Sequence, residues 1–423
     1  MANTKITSRV LADDAVTIGK IHSQADDGNG SLGNQDPNDG YALVSKNIAG
    51  TSDYYLSWES AGASSLNDLS DVKTFGTSSI MIGDTTTGTI DAANYNIGLG
   101  VDVFNTLTTG DSNIAIGHQA LYLNTTGSTN VGIGHGALYN NSTASNNTAV
   151  GYFAMIANTT GAYNTAIGAH ALDAETTGGY NTAVGYEALT TQNGGGNNVA
   201  VGRWSGKAVT TGVNNTFIGL NSALSTTTGN YNTALGSQAM KKNTTESEHV
   251  AVGHNALLAN TTAANNVAVG VECLDGNTTG TQNTAIGKAA LGANQTGNYN
   301  TAVGAYSIDA ATNRHNNTAV GWGAGTSITT SDNTVVGKGA LYDQSSGDSN
   351  TAVGHEAIEN LTTGIHTVGI GRRCASNTTT GGYNVFVGAN NQTYSASASS
   401  QVVLGYGVTS QGGGYCTIGN SGS

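Results

Sequence analysis

Proline, charged residues and long apolar runs are scarce in this chain of 423 residues. It contains one proline, and only 10% of its residues are charged. No stretch approaches the roughly eighteen consecutive apolar residues that indicate a membrane-spanning helix. The opening segment, MANTKITSRVLADDAV, also lacks the apolar core of a secretory signal peptide. The sequence therefore predicts no insertion into a membrane and no signal-directed export.

Basic residues are few as well, with 14 against 27 acidic residues, which gives a net charge of −13. Without a basic stripe, binding to nucleic acid is not expected. The three cysteines are scattered, and Cys273 and Cys374 fall where the repeat described below usually has alanine. Because cysteine packs as a small apolar residue, we expect both to be buried rather than to form a disulfide or a metal site. No cofactor is expected.

Glycine is abundant, with 61 residues, and one glycine recurs at a fixed interval. This marker glycine closes five-residue phrases such as NTAVG at 147–151. Twenty marker glycines are separated by nineteen intervals of seventeen residues, except for sixteen between Gly321 and Gly337. The marker glycines are Gly83, Gly100, Gly117, Gly134, Gly151, Gly168, Gly185, Gly202, Gly219, Gly236, Gly253, Gly270, Gly287, Gly304, Gly321, Gly337, Gly354, Gly371, Gly388 and Gly405. A period kept this strictly is typical of a solenoid.

The residues ahead of the marker glycine repeat too. Val, Ile or Leu directly precedes it, Thr, Val or Ile stands two positions earlier, and mostly alanine lies between them. This alternation predicts a short strand with its β-branched residues on one face. Asparagine stands four positions ahead in sixteen of the twenty phrases. We expect glycine and asparagine to occupy left-handed or bulged backbone. We also expect the asparagines to form a ladder of hydrogen bonds between coils, as at Asn113, Asn130, Asn147, Asn164, Asn181 and Asn198.

The predicted fold is all-β, a parallel β-solenoid or β-roll of about 20 coils with a 17-residue repeat. The sixteen-residue unit keeps its strand phrase at 333–337, so we expect its deletion in the preceding turn. Two or three large apolar side chains per coil are too few to offset the ordering of a whole coil. We therefore expect the alanine face of the strand to pack between chains, in a homotrimeric rod. At about 4.8 Å per coil, its length is about 90 Å.

The phrase NTAVGYEALTT at 181–191 and its relatives resemble the repeats of phage tail fibres that carry a C-terminal intramolecular chaperone of the endosialidase type. More distantly, they are similar to the NxAxG coils in the head of trimeric autotransporter adhesins. The resemblance covers about residues 79–406. It implies a left-handed roll of three chains around one axis, in a virion protein of the tail that mediates recognition and adsorption at the host-cell surface.

Both ends of the chain contribute to this resemblance. The segment ITSRVLADDAVTIGKI at 6–21 resembles the virion-attachment start of many tail fibres, which implies that 1–30 binds a tail adaptor or tail tube protein. The stretch from 40 to 74 resembles the short β segment that often follows, within a β or linker region at 31–78. In the fibre family the chaperone cuts itself off. An end at Ser423 fits such a cut, and a shortened chain would look the same.

The columns of acidic residues and of histidines are candidates for a catalytic site and a metal site. Glu187, Glu272 and Glu356 share one variable column but lie five coils apart, so paired carboxylate chemistry is not expected and the chain is not predicted to be an enzyme. Asp173 with Glu175 is interpreted in the same way, as charge for solubility. The histidines His118, His135, His254 and His355 share another column. Packing or surface exposure is the favoured interpretation there, and a metal near a threefold axis is the alternative.

Aromatic residues occupy the two variable positions after the marker glycine. Exposed rings can stack on sugars, which makes a host-surface receptor such as a glycan a candidate partner; packing between chains is the alternative. The candidate contact residues are Tyr152, Tyr186, Trp204, Trp322, Tyr394 and Tyr406. The regular spacing is lost from 394 onwards, so 407–423 is predicted to be a distal cap and the preferred receptor-contact end.

Two rival functions remain open at this point, and a third, ice binding, is not favoured. A bacterial trimeric surface adhesin would share the repeat, and a polysaccharide-degrading tailspike would share the rod. An ice-binding face would need threonine on alternate residues of a strand, whereas the paired threonines of phrases such as NTTG fall in turns. We favour a phage tail fibre located in the virion tail and made in the host cytoplasm.

Overall fold

The structure is a computed structural model, and it describes residues 41–47, 54–60, 72–75, 79–83 and 92–420. Burial of side chains is described for 79–83 and 92–420. The predicted virion-attachment segment at 1–30 lies outside the described residues. The chain divides into two units, Met1–Lys73 and Thr74–Ser423.

Twenty-four strands are present among the described residues. They are β1 Tyr41–Asn47, β2 Tyr54–Ser60, β3 Val72–Phe75, β4 Ser79–Gly83, β5 Ile97–Gly100, β6 Ile114–Ile116, β7 Val131–Ile133, β8 Thr148–Val150, β9 Thr165–Ile167, β10 Thr182–Val184, β11 Val199–Val201, β12 Thr216–Ile218, β13 Thr233–Leu235, β14 Val250–Val252, β15 Val267–Val269, β16 Thr284–Ile286, β17 Thr301–Val303, β18 Thr318–Val320, β19 Thr334–Val336, β20 Thr351–Val353, β21 Val368–Ile370, β22 Val385–Val387, β23 Val402–Tyr406 and β24 Cys416–Asn420. In the first unit, β1 and β2 pair antiparallel with Tyr41 opposite Ser60.

The second unit is a parallel β-solenoid, as the repeat predicted. From β4 to β24 each strand pairs in parallel with the next strand along the chain. The register keeps identical positions together, so that Ala183 lies opposite Ala200 and Val184 opposite Val201. Positions are counted here from the marker glycine, which makes Asn147 position −4 and Tyr152 position +1 of the coil at Gly151.

The sixteen-residue coil confirms where the deletion falls. Strands β18 and β19 keep the usual register, with Thr318 opposite Thr334. The Nδ2 of a position −4 asparagine normally donates to a carbonyl fourteen residues later, whereas Asn317 donates to Thr330 O, thirteen residues later, at 2.9 Å. The missing residue therefore lies in the turn before Thr330, where a loop absorbs it without shifting the strands.

The interior of the coils is filled by small and polar residues and, in most coils, by one large apolar side chain. Alanine at positions −2 and +3 is buried, as Ala149 and Ala154 illustrate, and so is the large apolar residue at +4, such as Met155. The β-branched residues at −3 and −1 point outwards and are half-buried or exposed, like Ile167 at 41%. The expectation that the alanine face packs between chains is therefore wrong, because that face already fills the coil.

The coil is too narrow for the β-branched residues to point inwards. A Cβ built on Gly132, at position −2, would already lie 3.2 Å from Ala137 O and 3.3 Å from Leu121 Cγ. A column of isoleucine or valine at −2 would collide with the +4 side chains, so alanine turns inwards and the β-branched residues turn out. Phe217 and Val335 are larger residues at −2, and position +4 of the preceding coil is glycine in both cases: Gly206 lies against Phe217, and Gly325 lies near Val335.

The marker glycine is required for two reasons. Its φ lies between 121° and 145° in every coil, a region essentially closed to residues with a Cβ. In addition, a Cβ on Gly151 would lie 2.5 Å from Gly168 O in the next coil. The marker positions thus need glycine both for backbone conformation and for the close approach of successive coils, which confirms the prediction made for glycine.

The prediction that the position −4 asparagines adopt left-handed backbone is wrong. The left-handed positions are +2, +4 and +12, as in Phe153 (φ 54°), Met155 (φ 51°) and Tyr163 (φ 61°). Such values are uncommon for bulky residues, and they turn the chain sharply at the corners of each coil. The position −4 asparagines, such as Asn164, are instead fixed by their hydrogen bonds.

The asparagine ladder itself is confirmed. Asn164 is buried. Its Oδ1 accepts the backbone N–H of Asn181 at 2.9 Å, and its Nδ2 donates to Gly178 O at 2.9 Å. Its own N–H donates to Asn147 Oδ1 at 2.9 Å. The same pattern links Asn113, Asn130, Asn147, Asn181 and Asn198, so each asparagine satisfies buried backbone groups that would otherwise lack partners.

A second ladder at position +7 escaped the sequence analysis. Asn141 Nδ2 donates to Asn124 Oδ1 at 2.9 Å, and Asn158 Nδ2 donates to Asn141 Oδ1 at 2.8 Å. Glu175 continues this column; it is buried and its Oε1 accepts the N–H of Gly178 at 2.5 Å. The interpretation of Glu175 as a solubilising charge is therefore wrong.

Cys273 and Cys374 are buried and carry free thiols, as predicted. Both take the place of alanine at position +3 of their coils. Burial raises the pKa of the Cys273 thiol to about 12 and that of Cys374 to about 11. Both thiols are therefore protonated at neutral pH and act as small apolar side chains.

One histidine inside the ladder should make the solenoid sensitive to acid. His249 occupies position −4, is buried, and accepts the N–H of Asn266 at its Nδ1 over 3.2 Å. Burial lowers its pKa from 6.5 to about 4, so between these pH values the unfolded chain binds a proton that the folded ring excludes. The free energy of unfolding is therefore highest above pH 6.5, and it falls by about 3 kcal/mol as the pH is lowered towards 4.

The substitution His249→Asn restores the asparagine of the other coils and should remove this pH dependence. Hydrogen exchange of coils near 249, followed from pH 7 to pH 4, measures the effect locally. His254→Asn, which alters an exposed histidine in the same region, is the matched control and should leave the wild-type pH profile unchanged. An equal loss of protection in wild type and His249→Asn would contradict the assignment.

Candidate binding surface

Five of the six candidate contact residues lie at one corner of the solenoid, where positions +1 and +2 follow the strand. We call these two positions the corner. Tyr152, Tyr186, Trp322 and Tyr406 occupy position +1, and each is about half exposed, between 45% and 56%. Parallel stacking places equivalent positions about 4.8 Å apart in neighbouring coils. The corner is thus a continuous track on which side chains of successive coils contact each other.

Trp204 differs from the other candidates because it occupies +2 and is half-buried. The guanidinium of Arg203 lies over its ring at 3.7 Å from the centroid, and Lys207 Nζ lies 5.4 Å away. Lys207 is also paired with Glu187. Trp204 is therefore covered by two cations of its own coil, and its indole is less open to a ligand than the rings at +1.

A second group of rings occupies the corner near the start of the solenoid. His118 and His135 lie 4.8 Å apart between ring centroids, His135 and Tyr152 5.4 Å, and Tyr152 and Phe153 4.1 Å. His170 continues the row at 5.5 Å from Tyr152. This is the ring packing that the favoured interpretation of the histidines predicted, although it occurs along one chain.

The metal alternative for the histidine column gains nothing from this geometry. In the part of the chain that the structure describes, no group of three or more His, Cys, Asp or Glu residues is arranged to hold a metal ion. His118 Nε2 lies 3.9 Å from Asp102, and His170 Nδ1 lies 3.0 Å from Asp173. His254 and His355 lie many coils away from this row.

Two of the acidic residues at position +2, Glu187 and Glu356, are paired with cations. Glu187 binds Lys207 and Tyr186, and these hydrogen bonds lower the pKa of its carboxyl. Glu356 pairs with Arg373 over 2.5 Å, which lowers the pKa of Glu356 as well. Both carboxylates are ionised at neutral pH and serve as counter-ions on the corner rather than as a proton donor and acceptor around a common groove.

A second cation-and-ring row lies further along the corner, in the four successive coils from Gly287 to Gly337. Lys288 Nζ lies 5.5 Å from the centroid of Tyr306, the rings of Tyr306 and Trp322 are 6.5 Å apart at 79°, and Lys338 Nζ lies 5.6 Å from the centroid of Trp322. We call Lys288, Tyr306, Trp322 and Lys338 the corner strip. Both lysines are exposed.

An exposed tyrosine column at position +12 was missed by the sequence analysis. It lies on the other side of the strand from the corner. Tyr163 and Tyr180 stack with centroids 4.9 Å apart and rings 6° from parallel, and His366 stacks on Tyr383 at 5.1 Å. The exposed members are Tyr95, Tyr163, Tyr180, Tyr231, Tyr299 and Tyr383. The sequence does contain a signal for this column, since each of these tyrosines directly precedes an asparagine at position −4. Only the stacking of the coils shows that the rings form one exposed row.

The end of the described chain departs from the regular repeat. Strand β24 pairs with β23 although Gly419 follows Gly405 by fourteen residues rather than seventeen. Tyr394, Tyr415 and Ile418 are exposed, with Ile418 at 72%. Tyr394 lies outside the corner, so the structure brings it together with none of the other candidate residues.

Comparisons of this chain with protein-family models, with curated proteins and with solved structures found no match. Within the described part of the chain there is no helical segment with the length and apolarity of a membrane span.

Proposed function

We propose that the chain is the subunit of a homotrimeric phage tail fibre, with the solenoid as shaft and the N-terminal segment on the virion. In this proposal the roll is left-handed, and three parallel chains surround one axis. Residues 1–30 bind a tail adaptor or tail tube protein. Exposed positions of the shaft and its far end contact a host-surface receptor such as a glycan.

The observation that carries the proposal is the outward strand face. Positions −3 and −1 carry Thr, Val, Ile or Leu in every coil, and none of the −1 side chains is fully buried in the single chain. The position −1 side chains, together with the Val and Ile residues at −3, form an apolar stripe along the solenoid. A contiguous exposed apolar surface of this kind marks an interaction site. Packing of this face against the same face of other copies of the chain would bury the apolar stripe. In a parallel arrangement, each coil would lie beside the equivalent coil of its neighbours.

Assembly through the outward strand face would also explain how a fibre binds its target. Three chains held side by side present three copies of each corner, so weak individual contacts act together. The corner acids support a binding role rather than a catalytic one, because they are five coils apart and two of them are paired with Lys207 and Arg373.

The assembly is tested with the full chain by light scattering coupled to size-exclusion chromatography. We expect a mass of three chains for wild type, and dissociation for Val303→Asp, because this change places a charge in the apolar stripe. Thr296→Asp, in an exposed turn, is the matched control and should remain trimeric. A wild type that is a folded monomer would overturn the proposed assembly.

The role in adsorption is tested separately. Excess purified protein should compete with the phage for attachment to host cells, and the chain should be found in purified virions. Absence from virions would favour the bacterial surface adhesin instead. Release of reducing ends from host polysaccharide would favour the tailspike.

A further inference from the structure

Cations of the solenoid are concentrated at the corner. Nine Lys or Arg residues lie within 92–420, and five of them occupy positions +1 or +2: Arg203, Lys288, Lys338, Arg372 and Arg373. Two positions of a seventeen-residue coil thus hold five of the nine positive charges within 92–420, in a chain whose net charge is −13. Four acidic residues within 92–420 share these positions, namely Asp102, Glu187, Glu272 and Glu356. The corner can therefore attract negative charge only where its cations are not paired with these acids.

Within the corner, only some of these cations are available to a ligand. Arg373 is paired with Glu356, and Arg203 covers the Trp204 ring. Among the described residues, Lys288 and Lys338 form no salt bridge, and both are exposed. They lie at the two ends of the corner strip, with the rings of Tyr306 and Trp322 between them.

The spacing of the strip points to a particular kind of ligand. Lys288 and Lys338 are three coils apart, about 14 Å at about 4.8 Å per coil. Aromatic faces bind the apolar faces of sugar rings, and a lysine ammonium binds a carboxylate as a point charge. A pyranose ring is comparable in length to one coil step, so the two rings and the two lysines match a short run of consecutive sugars with a negative group at intervals.

We propose that the corner strip binds an anionic glycan chain that carries carboxylate groups at intervals of about three sugar rings. This inference rests on the receptor-binding function proposed above and names the chemical class of the receptor. Trp322, half exposed at 51%, provides the main stacking surface, and Lys288 and Lys338 pair with carboxylates at the two ends.

The charge pattern favours a glycan over a nucleic acid. A nucleic-acid strand of duplex DNA carries one charge per 3.4 Å of helix axis, so it would place several phosphates between the two lysines without a partner. Glu272 lies in the coil before Lys288 and Glu356 in the coil after Lys338. The Glu272 carboxylate repels a densely charged polymer that extends past that end of the strip, whereas a sparsely charged glycan avoids it. Glu356 is already neutralised by Arg373.

The test uses the full chain on an array of oligosaccharides that are neutral, carboxylate-bearing or phosphate-bearing, together with a single-stranded oligonucleotide. We expect selective retention of carboxylate-bearing glycans.

Trp322→Ala should weaken this binding about tenfold, the effect of losing one well-buried contact, and alanine is native to position +1 at Ala305. Lys338→Gln should reduce the preference for acidic over neutral glycans. Tyr299→Asn, at an exposed tyrosine outside the corner, is the matched control and should bind like wild type.

The outcomes separate this inference from the proposed function. Four results would overturn the proposed glycan site at the corner strip. They are no retention of acidic glycans, equal retention of the oligonucleotide, a preference for the phosphate-bearing glycans, and wild-type binding by Trp322→Ala. In each of these cases, competition with phage adsorption would still support the fibre function. Binding that Trp322→Ala abolishes, in a protein that does not compete with adsorption, would overturn the fibre function and support the glycan site.

Discussion

Replacing the marker glycine Gly337 by alanine should disrupt the solenoid at that coil. Gly337 has a φ of 133°, and a Cβ there would lie 2.3 Å from Gly354 O in the next coil. Both the backbone conformation and the stacking distance must change, so we expect a loss of about 4 kcal/mol or more in local stability, at the extreme of single substitutions. Hydrogen exchange of the coils around 337 and 354 measures the loss.

Gly339→Ala in the same coil is the matched control. Its φ is 61°, which non-glycine residues adopt at position +2 throughout the solenoid, and its Cβ would find its nearest neighbour at 3.7 Å, on Glu356. We expect a cost of only about 1 kcal/mol. Because coils contact only their neighbours, the damage from Gly337→Ala should stay within a few coils. Equal effects of the two substitutions would contradict the role of the marker glycine.

Phe217→Ala should produce the second large effect. Phe217 is fully buried at position −2, where most coils have alanine, and it fills the space left by Gly206 at position +4 of the preceding coil. Removal of its ring leaves a cavity, with an expected cost of about 3–5 kcal/mol. Thermal unfolding, together with hydrogen exchange of the coils at Gly202 and Gly219, measures the change.

The double variant Phe217→Ala with Gly206→Leu should recover most of this loss. It recreates the alanine and leucine pair of other coils, and the φ of 57° at Gly206 is close to the 50° of Leu189 in the same column. Gly206→Leu alone should destabilise, since a Cβ there lies 2.9 Å from Phe217 Cδ2 and 2.9 Å from Leu189 Cδ2. In the double variant only the Leu189 contact remains, and the end of that flexible side chain can move into the space left by the Phe217 ring. A double variant no more stable than Phe217→Ala would refute the compensation, and the double-mutant cycle reports the coupling directly.

Much of the binding surface could not be predicted from the sequence. Tyr152, Tyr186, Trp204 and Trp322 were found as candidates because their columns hold many aromatic residues. That Trp204 is covered by Arg203, while Trp322 is open, depends on side-chain contacts between neighbouring coils. Such contacts follow from the direction in which each side chain leaves the backbone at the corner, which a list of columns does not contain.

The sequence by itself determined the solenoid, its register and the need for glycine and asparagine at fixed positions. The physical reason is that each strand pairs with a copy of itself, so the period of the sequence is the period of the stack, and buried backbone groups must find partners at the same place in every coil. Only the tertiary structure decided which face turns inwards. The coil at Gly132 has room for little more than a methyl group, so alanine fills the interior and the β-branched residues, which one would expect inside, form the outer face.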